Sequence, residues 1–179
     1  KRNYLYGETM THILGYVGRI NDRDVERLKK EEKFANYSGS TDMGKLGIER
    51  YYEEQLHGTT GFEEVEINNR GKVIRKLREQ PATAGKSIHL TIDLALQRYI
   101  MSLLSGQKGA VVVLDPKDNS VLAMVSTPSY DNNLFVDGIS ASDYKRLLND
   151  PARPLYSRAT QGVYPPASTV KPFVAVAAL

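Results

Sequence analysis

The sequence predicts an α+β fold in which antiparallel hairpins are packed with helices. Two spans alternate out and back across turn residues, "FEEVEINNRGKVIRKLRE" and "AVVVLDPKDNSVLAMVS", and read as hairpins. Three others, "NDRDVERLKKEEKF", "IERYYEEQLHG" and "DLALQRYIMSLL", carry apolar residues at helical spacing beside capping or stop residues. Between the hairpins lies "QPATAGKS", whose proline, glycine and small residues make it the best place for a module boundary.

Composition sets the outer limits. The 179 residues are 41% hydrophobic, enough to bury a core. Lysine and arginine number 24 against 21 acidic residues, an excess too small to announce a nucleic-acid binder. The absence of cysteine removes disulfides, thiolate catalysis and cysteine-ligated zinc. The longest apolar runs, "GAVVVL" and "FVAVAAL", fall far short of the roughly 20 residues that span a bilayer. Lys1 at one end, and an uncapped apolar run to Leu179 at the other, read as cuts in a longer chain.

Taken in order, "HILGYVGRI" reads as a strand leading into a helix capped by Asn21 or Asp22, with Val25 and Leu28 facing inward. A glycine and serine-rich loop follows. The next helix places Ile48, Tyr51, Tyr52 and Leu56 at helical spacing and stops at Gly58. In the first hairpin, Arg70, Lys72, Arg75, Lys76 and Arg78 face Glu63, Glu64 and Glu66. Cross-strand pairing at about 0.2 to 1 kcal/mol per pair makes this a solvated hairpin rather than an anion site.

"SIHLTID" alternates as a strand does, and Asp93 then caps a helix ending at Gly106. The second hairpin turns around Pro116 to Ser120, and its near-continuous apolar strands predict a sheet covered on both faces. "SDYKRLLND" is a short helix capped by Ser142 and stopped by Pro151.

S-x-x-K is a weak signal alone, and it occurs more than once. Ser105 and Lys108 flank Gly106 at a helix end, and Ser142 with Lys145 is explained by capping. Ser168 and Lys171 stand in a different setting, "GVYPPASTVKPF". Pro165 and Pro166 force an extended approach, and Pro172 is tolerated only in a first helical turn, so a helix begins near Ser168 or Thr169. A spacing of three then sets Ser168 and Lys171 on one face.

A serine hydroxyl needs a base, and a lysine serves when burial or a second cation keeps part of it neutral. The apolar "FVAVAAL" behind Lys171 predicts such burial. Free amides at the helix start, that of Ser168 among them, would hold a developing oxyanion. The plainer alternative is a capping serine beside a lysine on the same face. A Ser-His-Asp arrangement from His12, His57 or His89 is disfavoured, because each has a structural explanation, and their spacing suggests no metal.

"YPPASTVKPF" resembles the active-site motif of penicillin-binding proteins. "KLGIERYYEEQLHGTTG", "VEINNRGKVIRKL", "AGKSIHLTIDLALQ" and "AVVVLDPKDNSVLAMVSTPSYDNNLF" are similar to successive landmarks of the class B enzymes, so the resemblance covers essentially the whole chain. It implies a non-catalytic pedestal over residues 1–84. It implies the start of a transpeptidase domain over 85–179, an antiparallel sheet with helices on both faces. The implied activity is D,D-transpeptidation of peptidoglycan stem peptides during cell elongation, with no cofactor. Ser168 would be the acyl-ester nucleophile, Lys171 the general base, and the Ser168 amide an oxyanion donor.

The same resemblance implies acylation by β-lactams and a place in the periplasm, held by a single-pass inner-membrane anchor outside this span. Its implied partners are a glycosyltransferase of the SEDS family and rod-complex scaffold proteins, met through the pedestal. The sequence departs from the family pattern in places. No S-x-N, K-T-G or K-S-G occurs, "KLG" at 45–47 lies on the wrong side of Ser168, Ala167 stands where glycine is common, and Asn132 where proline is common. The 179 residues alone are therefore expected to be acylated negligibly. Two other functions fit parts of the pattern, a pedestal acting purely as an interaction module and a serine β-lactamase-type hydrolase; the long region ahead of Ser168 argues against the hydrolase.

Overall fold

The computed structural model describes residues 2–179. Its first element is a helix, α1 (Gly7–Leu14), where the sequence predicts the start of a strand. Met10, Thr11 and Ile13 form its buried side. The helix ends because Gly15 has φ of 72°, and a Cβ there would lie 1.9 Å from the Leu46 carbonyl oxygen. Strand β1 (Val17–Arg19) follows and pairs antiparallel with β2 (Asp42–Gly44).

Between them lie α2 (Asp22–Lys30) and α3 (Phe34–Tyr37). Asn21 caps α2 through a reciprocal pair of 3.0 Å bonds with Asp24. Leu28, Tyr37 and Met43 close a small core there. The expected single helix after it is two, α4 (Gly47–Tyr51) and α5 (Glu53–His57), broken at Tyr52. Of the face expected to point inward, Ile48, Tyr52 and Leu56 are half-buried, whereas Tyr51 is 81% exposed. Glu49 occupies the buried position instead, 2.9 Å from the Arg2 guanidinium and accepting from the Tyr4 hydroxyl. Burial pushes its carboxyl above the usual range, although Arg2 pulls the other way.

Strands β3 (Phe62–Ile67) and β4 (Val73–Gln80) form the expected hairpin, with register shifts after Glu64 and Glu66. Its charges pair as expected, Arg75 with Glu66 at 2.5 Å and Lys76 with Glu63 at 2.7 Å. The strap 81–92 then runs back along the molecule. Ile88, Leu90 and Ile92 are half-buried in alternation, yet among the described residues the only strand pairing of the segment is an isolated bridge of Thr83 with Thr59. It is tied down instead by the Thr91 hydroxyl on the Val121 carbonyl and the Asp93 amide on the Leu122 carbonyl.

Asp93 caps α6 (Leu94–Leu103) by accepting from the Leu96 amide at 3.0 Å. Helix α6 lies on the hairpin of β5 (Gly109–Leu114) and β6 (Val121–Thr127), where Ile100 packs with Ala123 and Val125. On the opposite face of β6, by strand alternation, Ser126 meets α8 (Arg158–Gln161). The sheet thus has helices on both sides, though Val112 and Leu114 stay about half open. A 3₁₀ turn (Asn132–Phe135) and α7 (Ala141–Asn149) lie between β6 and α8. The α7 cap is Ser140 rather than Ser142, because the Ser140 hydroxyl accepts from the Asp143 amide at 3.0 Å.

Helix α1 is bonded into this second half. Gln97, 1% exposed, donates to the carbonyls of Thr9 at 3.0 Å and Met124 at 2.9 Å and accepts from the Met124 amide at 2.9 Å. The Thr11 hydroxyl reaches the Tyr130 carbonyl at 2.6 Å, and Asn132 Nδ2 reaches the Gly15 carbonyl at 2.7 Å.

His12, on α1 rather than on a strand, sets its ring edge-on to Tyr130 at 5.7 Å, and its buried Nε2 meets no hydrogen-bond partner among the described residues. Burial pushes its pKa below the ordinary 6.5, and the Arg158 cation adds to this against the opposing carbonyls of Pro128 and Pro154. The folded protein therefore refuses a proton that the unfolded chain accepts. Stability is expected to fall as the pH drops below about 6.5, and His12→Phe to flatten that slope in thermal unfolding between pH 7 and pH 5. The raised Glu49 carboxyl acts in the opposite sense at lower pH, so the difference between the two proteins isolates His12.

Candidate active site

The approach to Ser168 starts from α8. The Arg158 amide donates to the buried Ser126 hydroxyl at 2.8 Å, and the Tyr156 hydroxyl donates to the Gln161 carbonyl at 2.6 Å. Next comes Gly162, where a Cβ would stand 2.4 Å from both the Arg158 carbonyl oxygen and the Tyr164 ring. No larger residue passes this point without displacing backbone. Residues 163–166 then run without sheet or helix partners into a 3₁₀ turn (Ala167–Val170) and α9 (Lys171–Ala177).

Pro172 sits in the first turn of α9, as its missing amide hydrogen requires. The Thr169 amide donates to the Pro166 carbonyl at 3.1 Å, and the Lys171 amide to the Ser168 carbonyl. Ser168 and Lys171 thus stand in consecutive turns of continuous helical backbone, the serine at its start. No acceptor meets the Ser168 amide among the described residues. The two side chains share no hydrogen bond there either.

Ala167 has φ of 47°, in the left-handed region, which gives a conformational reason for a glycine at this point of the motif. Ala167→Gly is expected to relieve about 1 kcal/mol of local strain. Slower hydrogen exchange at the Thr169 and Lys171 amides would report it.

The expected burial behind Lys171 is absent. Every residue from 163 to 179 is exposed, with Phe173 at 76%, Val174 at 62% and Val176 at 73%. Helix α9 contacts chiefly the turn before it, so its apolar side chains meet water. An apolar run states a preference for cover, and among the described residues nothing supplies it.

The histidines lie apart from this site. His57 stacks on Tyr37 at 4.2 Å, with Ser40 Oγ 2.7 Å from Nε2, and its Nδ1 faces Asn36 and the Gly58 carbonyl rather than a carboxylate. His89 is exposed on the strap. Among the described residues no three His, Cys, Asp or Glu side chains converge as a metal site would require. Sequence reasoning missed the hold that Ser126, Tyr156 and Arg158 have on the approach. The only available signal was the density of hydrogen-bonding side chains in "YSRATQG", which does not name their partners.

Comparison with known proteins agrees with this layout. The profile described as the Penicillin-binding Protein dimerisation domain matches residues 1–90, and that of the Penicillin binding protein transpeptidase domain matches residues 109–179. A peptidoglycan D,D-transpeptidase MrdA of Haemophilus influenzae is 85% identical over 99% of this chain and 27% of its own length. Among solved structures, the PBP2 of Pseudomonas aeruginosa is 45% identical with a TM-score of 0.83, over 98% of this chain and 34% of that one. The PBP2 of Helicobacter pylori, in its complex with MreC, is 31% identical with a TM-score of 0.86, over 98% and 32%. The chain spans between 25% and 29% of the length of the curated relatives it matches. With one profile over its first half, a second over the span holding Ser168, and a shared fold across nearly all of it, the chain belongs to the penicillin-binding proteins.

Proposed function

We propose that this chain comes from a peptidoglycan D,D-transpeptidase that crosslinks stem peptides during cell elongation. Residues 1–84 are its pedestal and 85–179 the opening of its transpeptidase domain. The observation that carries the proposal is Ser168 at the head of helical backbone one turn ahead of Lys171, within the span matching the transpeptidase profile.

Lys171, neutral when covered, takes the Ser168 Oγ proton as Oγ bonds to the penultimate D-alanine carbonyl carbon. Free amides at the helix start, including that of Ser168, hold the oxyanion. Collapse breaks the peptide bond, and the terminal D-alanine leaves with a proton on its nitrogen. An amine of a neighbouring strand then attacks the acyl-serine, forms the crosslink and returns the proton to Oγ. A β-lactam acylates the same oxygen by opening its ring.

The likeness to a PBP2 solved with MreC supports contact between the pedestal and a rod-complex scaffold protein. A SEDS-family glycosyltransferase is the second proposed partner. The proposed location is the periplasmic side of the inner membrane, with an anchor outside these residues. Among the described residues no helix is long and apolar enough to cross a membrane.

Peptide mapping of the full-length protein after reaction with a fluorescent penicillin tests the proposal. The acyl group is expected on Ser168, and its exclusive appearance on another residue would overturn it. The 179-residue chain treated in the same way is expected to label negligibly, because Lys171 and the helix behind it lie open to water.

A further inference from the structure

Arg158 is only 9% exposed, and no carboxylate meets it among the described residues. Its guanidinium turns to backbone instead, Nη2 donating to the Ala152 carbonyl at 2.7 Å and Nη1 to the Arg153 carbonyl at 3.4 Å. Cζ stands 5.9 Å from the centre of the Tyr156 ring. The amide of the same residue holds the Ser126 hydroxyl on β6, and its carbonyl oxygen is the atom against which Gly162 is fitted. One residue therefore joins the sheet, the 152–153 loop and the first step of the approach to Ser168.

A buried cation without a counter-ion is a poor source of stability, and an apolar side chain of similar volume commonly serves as well or better. Its presence is better accounted for by geometry. Downstream of α8, residues 163–166 have no sheet or helix partner, so their upstream support is the Arg158 to Gly162 contact. Pro165 and Pro166, each with φ fixed by its ring, carry the orientation set there onward to the turn that bears Ser168.

We propose that Arg158 is a positioning residue for Ser168. By forking across two carbonyls it fixes the tilt of α8 on β6, and through Gly162 and the paired prolines it sets where the Ser168 hydroxyl stands. This rests on Ser168 being the nucleophile. A displacement of about 1 Å at a reacting atom costs on the order of 100-fold in rate, so loss of the fork is expected to act at that scale.

The test uses the full-length protein with Arg158→Met and Arg158→Lys, reacted with a fluorescent penicillin and counted per folded molecule. Arg158→Met is expected to slow the acylation step about 100-fold while leaving the affinity of the preceding non-covalent complex unchanged. Arg158→Lys is expected to recover only part of the rate, because an ammonium lacks the planar fork that spans two carbonyls. A purely structural role would lower the unfolding temperature and leave acylation per folded molecule at the parental rate, and that outcome overturns the proposal. If Arg158→Met fails to fold, Arg158→Lys decides, with parental acylation overturning the proposal and slowed acylation sustaining it. Mapping the label in the parent separates the two hypotheses: a label away from Ser168 sinks the nucleophile assignment, whereas a normal rate in the Arg158 variants sinks only the positioning role.

Discussion

Ser168→Ala in the full-length protein is expected to abolish acylation by a fluorescent penicillin, a loss of at least about 10⁴-fold in rate with the fold unchanged. The size follows from the chemistry. Without Oγ no acyl-ester can form, and oxyanion donors and substrate contacts alone cannot replace a missing covalent step. The side chain is solvent-exposed and makes no hydrogen bond to the rest of the chain among the described residues, so its removal should not shift the unfolding temperature.

Lys171→Ala is expected to slow acylation by about 10²- to 10⁴-fold, the range for loss of a positioned general base. Lys171→Arg should do no better, because a guanidinium does not give up its proton in a protein. Labelling that persists in Ser168→Ala would remove the nucleophile assignment. Full activity in Lys171→Arg would remove the base.

Gln97→Leu is expected to cost about 3 to 5 kcal/mol, lowering the unfolding midpoint by roughly 10 °C. Leucine fills nearly the same volume, so a cavity is not the cause. The loss comes chiefly from leaving both backbone groups of Met124 without partners, while the Thr9 carbonyl keeps its place in the α1 ladder and loses a second donor. A Leu variant melting with the parent would show that water satisfies these groups.

What the sequence revealed and what it concealed divides along the range of the interactions. The caps at Asn21 and Asp93 were legible because a capping side chain bonds an amide only three residues on. Helix α1 was misread because the window "HILGYVGRI" starts at His12, the third residue from its end, beyond Met10 and Thr11, and treats Gly15 as punctuation within a strand rather than the end of a helix. The break at Tyr52 leaves no mark, since "IERYYEEQLHG" holds neither proline nor an internal glycine. At the candidate site, the prolines announced the helical start, which is a local constraint. The exposure of Lys171 was not legible, because cover is supplied from elsewhere in a protein and an apolar run states only a preference for it. Gln97, Thr11 and Arg158 were silent for a related reason: their partners are mainly backbone groups, which carry no residue identity.

The seating of α1 against Met124, Tyr130 and Gln97 bears on how such a protein can be taken apart or recombined. Severing the strap would not release two self-sufficient pieces, since the downstream piece would lose a helix that plugs its own interior and the upstream piece would carry that helix bare. Exchanging the upstream half between related penicillin-binding proteins should therefore succeed only when the first sixteen or so residues travel with the downstream half, whatever their place in the linear order.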